Sequence, residues 1–146
     1  MAQAVPQTYE NHTRIVPPYH MGVFGILIIN LFWSLYRAVT QLSGDTLVSL
    51  LLAVALLILF FYVRVFALTV QNRVIRLEMT LRLQQLLPPD LRGRIGELSV
   101  PQLVALRFAS DEEMCDLCRT VLDQRLSSQK AIKKMIKRWT PDYLRA

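Results

Sequence analysis

The chain has 146 residues, of which 53% are hydrophobic and only 19% charged, with a formal net charge of +6. Its mean hydropathy is +0.31 and its isoelectric point about 9.7. A chain this apolar is neither disordered nor a coiled-coil rod, and it is too greasy for an ordinary soluble globule of one small domain. Two cysteines cannot build a disulfide framework, and the first residues carry no secretory cleavage pattern.

Two stretches hold the apolar excess. Ile15 to Tyr36 carries no formal charge, and Pro17 and Pro18 near its start suit a first helical turn, whose N–H groups lack partners anyway. A helix is expected over 19–42, preceded by a cytosolic segment, 1–18. Thr46 to Val63 is also uncharged, and apolar character continues past Arg64 to Val70. At 1.5 Å per residue, each covers roughly 30 Å of hydrocarbon. So short a chain cannot bury two helices that are apolar all round, and both read as transmembrane spans. The turn 43–45 contains Gly44, suited to a left-handed helix end, and Asp45 or Thr46 as the next cap. This predicts a helical hairpin with spans 19–42 and 46–70. Pairing the spans outward from Ser43-Gly44 sets Asn30 opposite Ile58, among residues with no polar side chain.

Of 17 Lys and Arg residues, 14 follow Val70 and none lies in the turn. The positive-inside bias then puts both termini in the cytoplasm of a bacterial inner membrane. Cys115 and Cys118 would be free thiols there. Tyr19, Tyr62 and Arg64 are expected as anchors at the inner interface, and Trp33, Tyr36 and Arg37 at the outer one. Asn30, near mid-depth, is a candidate for an intramembrane polar contact with a second copy or another membrane protein.

Nothing breaks the second helix at Val70. Val70, Val74, Leu77 and Leu81 recur at steps of four, three and four, a helical stripe that continues over 71–87 to Pro88-Pro89. The remainder, 88–146, reads as a small helical module. Asp90 to Leu98 is a turn region. Ser99-Val100-Pro101-Gln102 is a capping box opening a helix that runs to about Ala109. Ser110-Asp111-Glu112-Glu113 reads as a second capping box. A third start falls at Ser127 or Ser128, with the last helix ending near Trp139. On that helix Lys130, Lys133, Lys134, Lys137 and Arg138 share one face, and Ala131, Ile132, Met135, Ile136 and Trp139 the other. Such a face lies on anionic lipid, grips nucleic-acid phosphates or is simply solvated. A tether beside an anionic leaflet favours lipid over nucleic acid.

Chemistry-bearing motifs are sparse. Cys115-Asp116-Leu117-Cys118 falls in mid-helix, whereas redox pairs open a helix; a zinc site there needs two more ligands, and the two histidines, His12 and His20, lie at the other end of the chain. These histidines, beside Tyr9 and Arg14, read as interfacial polar anchors. No nucleotide, metalloprotease or hydrolase signature occurs, so neither an enzyme nor a cofactor is expected.

Gln7-Thr8-Tyr9-Glu10-Asn11-His12-Thr13-Arg14 with Pro17 and His20, Leu106-Arg107-Phe108-Ala109-Ser110-Asp111-Glu112-Glu113, and Ile132-Lys133-Lys134 through Trp139, Asp142 and Arg145 bracket nearly the whole chain. In these blocks it resembles an uncharacterised bacterial family of small membrane proteins, a domain of unknown function. Met135 and Pro141 depart from that family's pattern. The resemblance implies two spans and a cytosolic helical tail, and no catalytic residue. The reading is therefore an all-α membrane hairpin with an accessory or structural role, its cytosolic module contacting a membrane or cytosolic partner. A binder of anionic lipid surfaces and a small oligomeric channel or transporter component are the alternatives.

Overall fold

The computed structural model describes Tyr9 and residues 16–142. The described residues are all-α and divide into two units, 16–68 and 69–142. The Gln7–Arg14 block, His12 included, lies almost entirely outside the described residues.

In the first unit, a π-helical turn, Pro18–Val23, leads into α1, Phe24–Thr40. The second helix, α2, is Gly44–Leu86, and its residues up to Leu68 form the hairpin with α1. Both helices are long and apolar enough to cross a membrane, and only 11% of the most apolar window of each is buried. Where they meet, the buried residues are small: Ser34 and Ala38 on α1, Thr46 and Ala53 on α2. Small side chains let two helix backbones approach closely. At the open end Tyr19 stacks on Phe60, centroids 4.3 Å apart, and its hydroxyl donates to the Phe60 carbonyl at 2.6 Å.

The turn differs from expectation. No glycine in the described chain has positive φ, and Gly44 opens α2 rather than closing α1. The cap is Ser43. Its N–H donates to Thr46 Oγ1 at 3.0 Å, while the Thr46 N–H donates to Ser43 Oγ at 3.3 Å. This reciprocal pair lets α2 start two residues before Thr46, and the hairpin's midpoint moves to about Leu42. Asn30 therefore faces the Ser49–Leu56 stretch rather than Ile58.

The second unit begins on α2 itself. The expected stripe of Val70, Val74, Leu77 and Leu81 is exposed, and the buried row is Ile75, Met79, Leu83 and Leu87. Against that row pack α3, Pro89–Arg92, a 3₁₀ turn, Ile95–Glu97, α4, Val100–Leu106, α5, Asp111–Asp123, and α6, Gln129–Met135. The four-three-four spacing of Val70, Val74, Leu77 and Leu81 pointed to the exposed stripe, while Arg82 lies at the edge of the row that is buried. Arg82 resolves that conflict by reaching over the core. Its guanidinium donates to Asp111 Oδ1 at 2.6 and 2.8 Å and to the carbonyls of Arg107 and Ala109 at 3.2 and 2.7 Å.

Two caps follow the sequence and one does not. The Ser99 N–H donates to Gln102 Oε1 at 2.7 Å, and Gln102 Nε2 donates on to the Leu126 carbonyl at 2.8 Å. Ser128 caps α6 by accepting from the Ala131 N–H. At α5, however, Ser110 makes no side-chain cap, and Glu113 does not turn back. Its carboxylate instead accepts from the N–H groups of Lys137 and Arg138, at 3.0 and 3.1 Å. The Ser110 N–H donates to the Arg138 carbonyl at 3.1 Å and the Thr140 N–H to Phe108 O at 2.7 Å, around an antiparallel bridge of Ala109 with Trp139. This extended strap explains why α6 ends at Met135 and not near Trp139. It likewise ends α4 at Leu106, short of Ala109.

Because Arg82 satisfies two carbonyls and one carboxylate at once, Arg82→Ala is expected to destabilise the second unit by about 2–3 kcal/mol. Arg76→Ala, on an exposed position, should stay within about 0.5 kcal/mol. Denaturant titration of the full chain in detergent, read by Trp139 fluorescence in a Trp33→Phe background, measures both.

Candidate functional site

A groove of about 300 Å³ in the second unit runs along α2 beside the strap and is lined by Gln71, Val74, Ile75, Glu78, Met79, Arg82, Arg107 and Asp142. Arg107 forms its back wall. Its side chain is 10% exposed, pairs with Asp142 at 3.2 Å and lies over the Phe108 ring at 4.6 Å. Phe108 is fully buried and stacks on Trp139 at 4.6 Å, with Lys133 Nζ 5.2 Å from its centroid. A ring with cations near its face gains electrostatically from both, most where water is excluded. The groove thus mixes two guanidinium groups with two carboxylates. It has no net preference for one sign of ligand, and none of its lining residues is a thiol, hydroxyl or histidine.

The five basic residues assigned to one face of the last helix do not share one. Lys130, Lys133 and Lys134 are on α6, whereas Lys137 and Arg138 lie past its end, on the extended strap. Lys133 is engaged with Phe108, and Arg138 pairs with Glu112. Lys130, Lys134 and Lys137 are exposed.

In the first unit the sequence-predicted residues gather into two groups. Asn30, Trp33 and Arg37 line a groove of about 240 Å³ with Ser34, Thr46, Ser49, Leu52 and Leu56. Trp33 lies 5.9 Å from Tyr36, and both are exposed. Asn30 is exposed at this rim and makes no hydrogen bond among the described residues; the groove's hydroxyls, on Ser34, Thr46 and Ser49, lie nearer the turn. Towards the open end, Tyr19, His20 and Arg64 line a second groove with Val16, Val63 and Ala67, and Tyr62 packs near Phe66 at 5.6 Å. His20 Nδ1 sits 3.1 Å from the Val16 N–H.

Cys115 and Cys118 are free. Cys115 Sγ donates to the Leu86 carbonyl at 3.4 Å, and Cys118 is fully buried in the core. Burial, then the neighbouring Cys115, pushes the Cys118 thiol up from 9.0 to about 11, the opposite of what a redox nucleophile needs. Among the described residues no group of three or more His, Cys, Asp or Glu can hold a metal ion.

Of the groove residues, Gln71 and Glu78 were not singled out in the sequence, and Arg107 and Asp142 appeared there only within the blocks of family resemblance, not as a site. These four residues come from three segments, and the one local signal was a charged Arg107 inside the apolar run from Leu103 to Ala109.

These features define a class: an all-helical chain with two span-length apolar helices and a small helical module closed by a C-terminal strap. The chain belongs to the DUF6526 family, a family of unknown function, which it matches over residues 1–146. Comparison with curated proteins and with solved structures gives no match.

Since the folded Cys118 thiol titrates above its unfolded value, its contribution to stability is complete below about pH 9 and is lost as the pH rises towards 11. Stability curves of wild type and Cys118→Ala, measured from pH 8 to 11 in the same detergent, should converge across that window. A constant difference would contradict the burial of a neutral thiol.

Proposed function

We propose that this chain is a two-span integral protein of a bacterial inner membrane that presents its helical module in the cytoplasm as an accessory or structural interaction platform. The observation that carries the reading is the surface of the two long helices. Ile26, Ile29, Phe32, Leu51 and Phe61 are each more than 60% exposed, around a contact made of small residues. Water would penalise that much apolar surface by about 25 cal/mol for each Å², and hydrocarbon would not. The lysines and arginines after Val70 favour a cytoplasmic module and cytoplasmic termini. Two residue groups, the exposed Trp33, Tyr36 and Arg37 and the partly buried Tyr19 and Arg64 with exposed Tyr62, suit the two interfaces.

The partners in this reading are membrane lipids and a membrane or cytosolic protein, with Asn30 available to a second copy. Lipid binding is the second reading, and it rests on Lys130, Lys134 and Lys137, which remain exposed while Lys133 and Arg138 are engaged within the module.

A cysteine placed at Ser43 in a cysteine-free variant should react with a membrane-impermeant maleimide in intact cells, and one at Ser127 only after lysis. The reverse pattern overturns the orientation, and extraction of the protein by alkaline carbonate overturns the membrane assignment itself.

A second test concerns Asn30. Asn30→Leu should weaken self-crosslinking in native membranes about three- to thirtyfold, the range of one interhelical polar contact of 0.6–2 kcal/mol, without changing the amount inserted. Unchanged crosslinking would remove Asn30 from any interface between copies.

A further inference from the structure

The stripe that α2 leaves uncovered in the second unit has a stricter pattern than an ordinary helix face. Val70, Val74, Leu77 and Leu81 follow steps of four, three and four, and they are 62%, 48%, 63% and 52% exposed in the folded chain. The module packs on the other side of the same helix, through Ile75, Met79, Leu83 and Leu87. In heptad terms Val74 and Leu81 are a positions and Val70 and Leu77 d positions. The packed residues then fall at b, c, f and g. Val74 at a with Leu77 at d is the β-branched and leucine combination that favours two parallel strands, and Val70 and Leu81 extend the apolar seam on either side of it.

The charges agree with that register. Arg73 falls at g and Glu78 at the following e, and g-to-e′ is the spacing at which two parallel helices exchange ion pairs. Both side chains are exposed, and among the described residues neither has an ion-pair partner. Within one chain they cannot meet, being five residues apart on a helix. Across a parallel pair each Arg73 reaches the other chain's Glu78, twice by symmetry.

We propose that the exposed Val70–Leu81 face of α2 is the seam of a parallel homodimer, closed by reciprocal Arg73–Glu78 pairs between two copies of this chain. The parallel direction rests on the membrane reading, because two copies inserted with the same topology carry their second helices the same way. That anchoring also supplies what so short a seam lacks. Two heptads are marginal for free helices, but here the helix is already formed by its module, and both copies are confined to one membrane.

Disulfide crosslinking of the full chain in native membranes tests the seam, with Cys115 and Cys118 replaced by alanine. Single cysteines at Leu77 and Leu81 should form disulfide-linked dimers under mild oxidation, and one at Asn72, on the far side at f, should not. Equal crosslinking at all three, or at none, overturns the seam. The register has its own test in a Leu77→Cys background. Glu78→Arg should lower the dimer fraction about two- to fivefold, the range of an exposed ion pair, and Arg73→Glu with Glu78→Arg should restore it. Failure of the exchange to restore dimer overturns the Arg73–Glu78 pairing. Carbonate extraction of the same membranes separates the two ideas: a chain released by it fails the membrane reading, and a retained chain without position-specific crosslinks fails the dimer.

Discussion

Between Thr46 and Leu86 the chain meets no glycine and no proline, so the hydrogen-bond ladder of α2 runs unbroken from residues that are apolar on every side into residues that are apolar on two. A helix satisfies its backbone groups internally, and for that reason the same element can serve in hydrocarbon and in water. What changes along α2 is only the side-chain pattern. Up to Leu68 it meets α1 through small residues, and from Thr69 it offers Ile75, Met79, Leu83 and Leu87 as one wall of a conventional core. Pro88 and Pro89 then end it, since neither can donate to the ladder.

The second unit is small enough that helix burial alone would leave it marginal. Its polar contacts compensate by linking segments distant in sequence. Arg82 joins α2 to the carbonyls that leave α4 and to the first acid of α5. Gln102 joins the start of α4 to the residue after α5. Glu113 and the Ala109–Trp139 bridge bind the strap, and the strap lays Trp139 over Phe108. Hydrogen bonds to charged groups are stronger than neutral ones, and here most of them end on backbone atoms that no helix satisfies. The helix ends in this unit are thereby tied to one another.

That economy has a functional reading. The module's charged groups are largely committed inside it: Arg82, Arg94, Arg107, Arg119 and Arg138 all hold carboxylates. The uncommitted surface is the apolar row on α2 with Arg73 and Glu78 beside it, and the exposed lysines of α6 and the strap. An interaction platform is better served by such surfaces than by Arg107 and Asp142, which already neutralise one another.

Local pattern determined a good deal here: the all-α class, two span-length apolar helices, the stop at Pro88-Pro89, the caps at Ser99 and Ser128 and the continuity of α2 are all properties of neighbouring residues. Where it misled, two local patterns competed and a distant group chose between them. Val70–Leu81 and Ile75–Leu87 are both acceptable stripes, and the module selected the second because Arg82 can span its edge to Asp111. Ser110 to Glu113 has the composition of a capping box, but Glu113 binds the strap's N–H groups instead, and with them goes the helical end of Lys137 and Arg138. Ser43 rather than Thr46 began α2, which moved Asn30 by about one helical turn against its neighbour. Periodicity and capping are short-range signals; which face is covered, which acid finds which donor and which cations share a side depend on segments that only folding brings together.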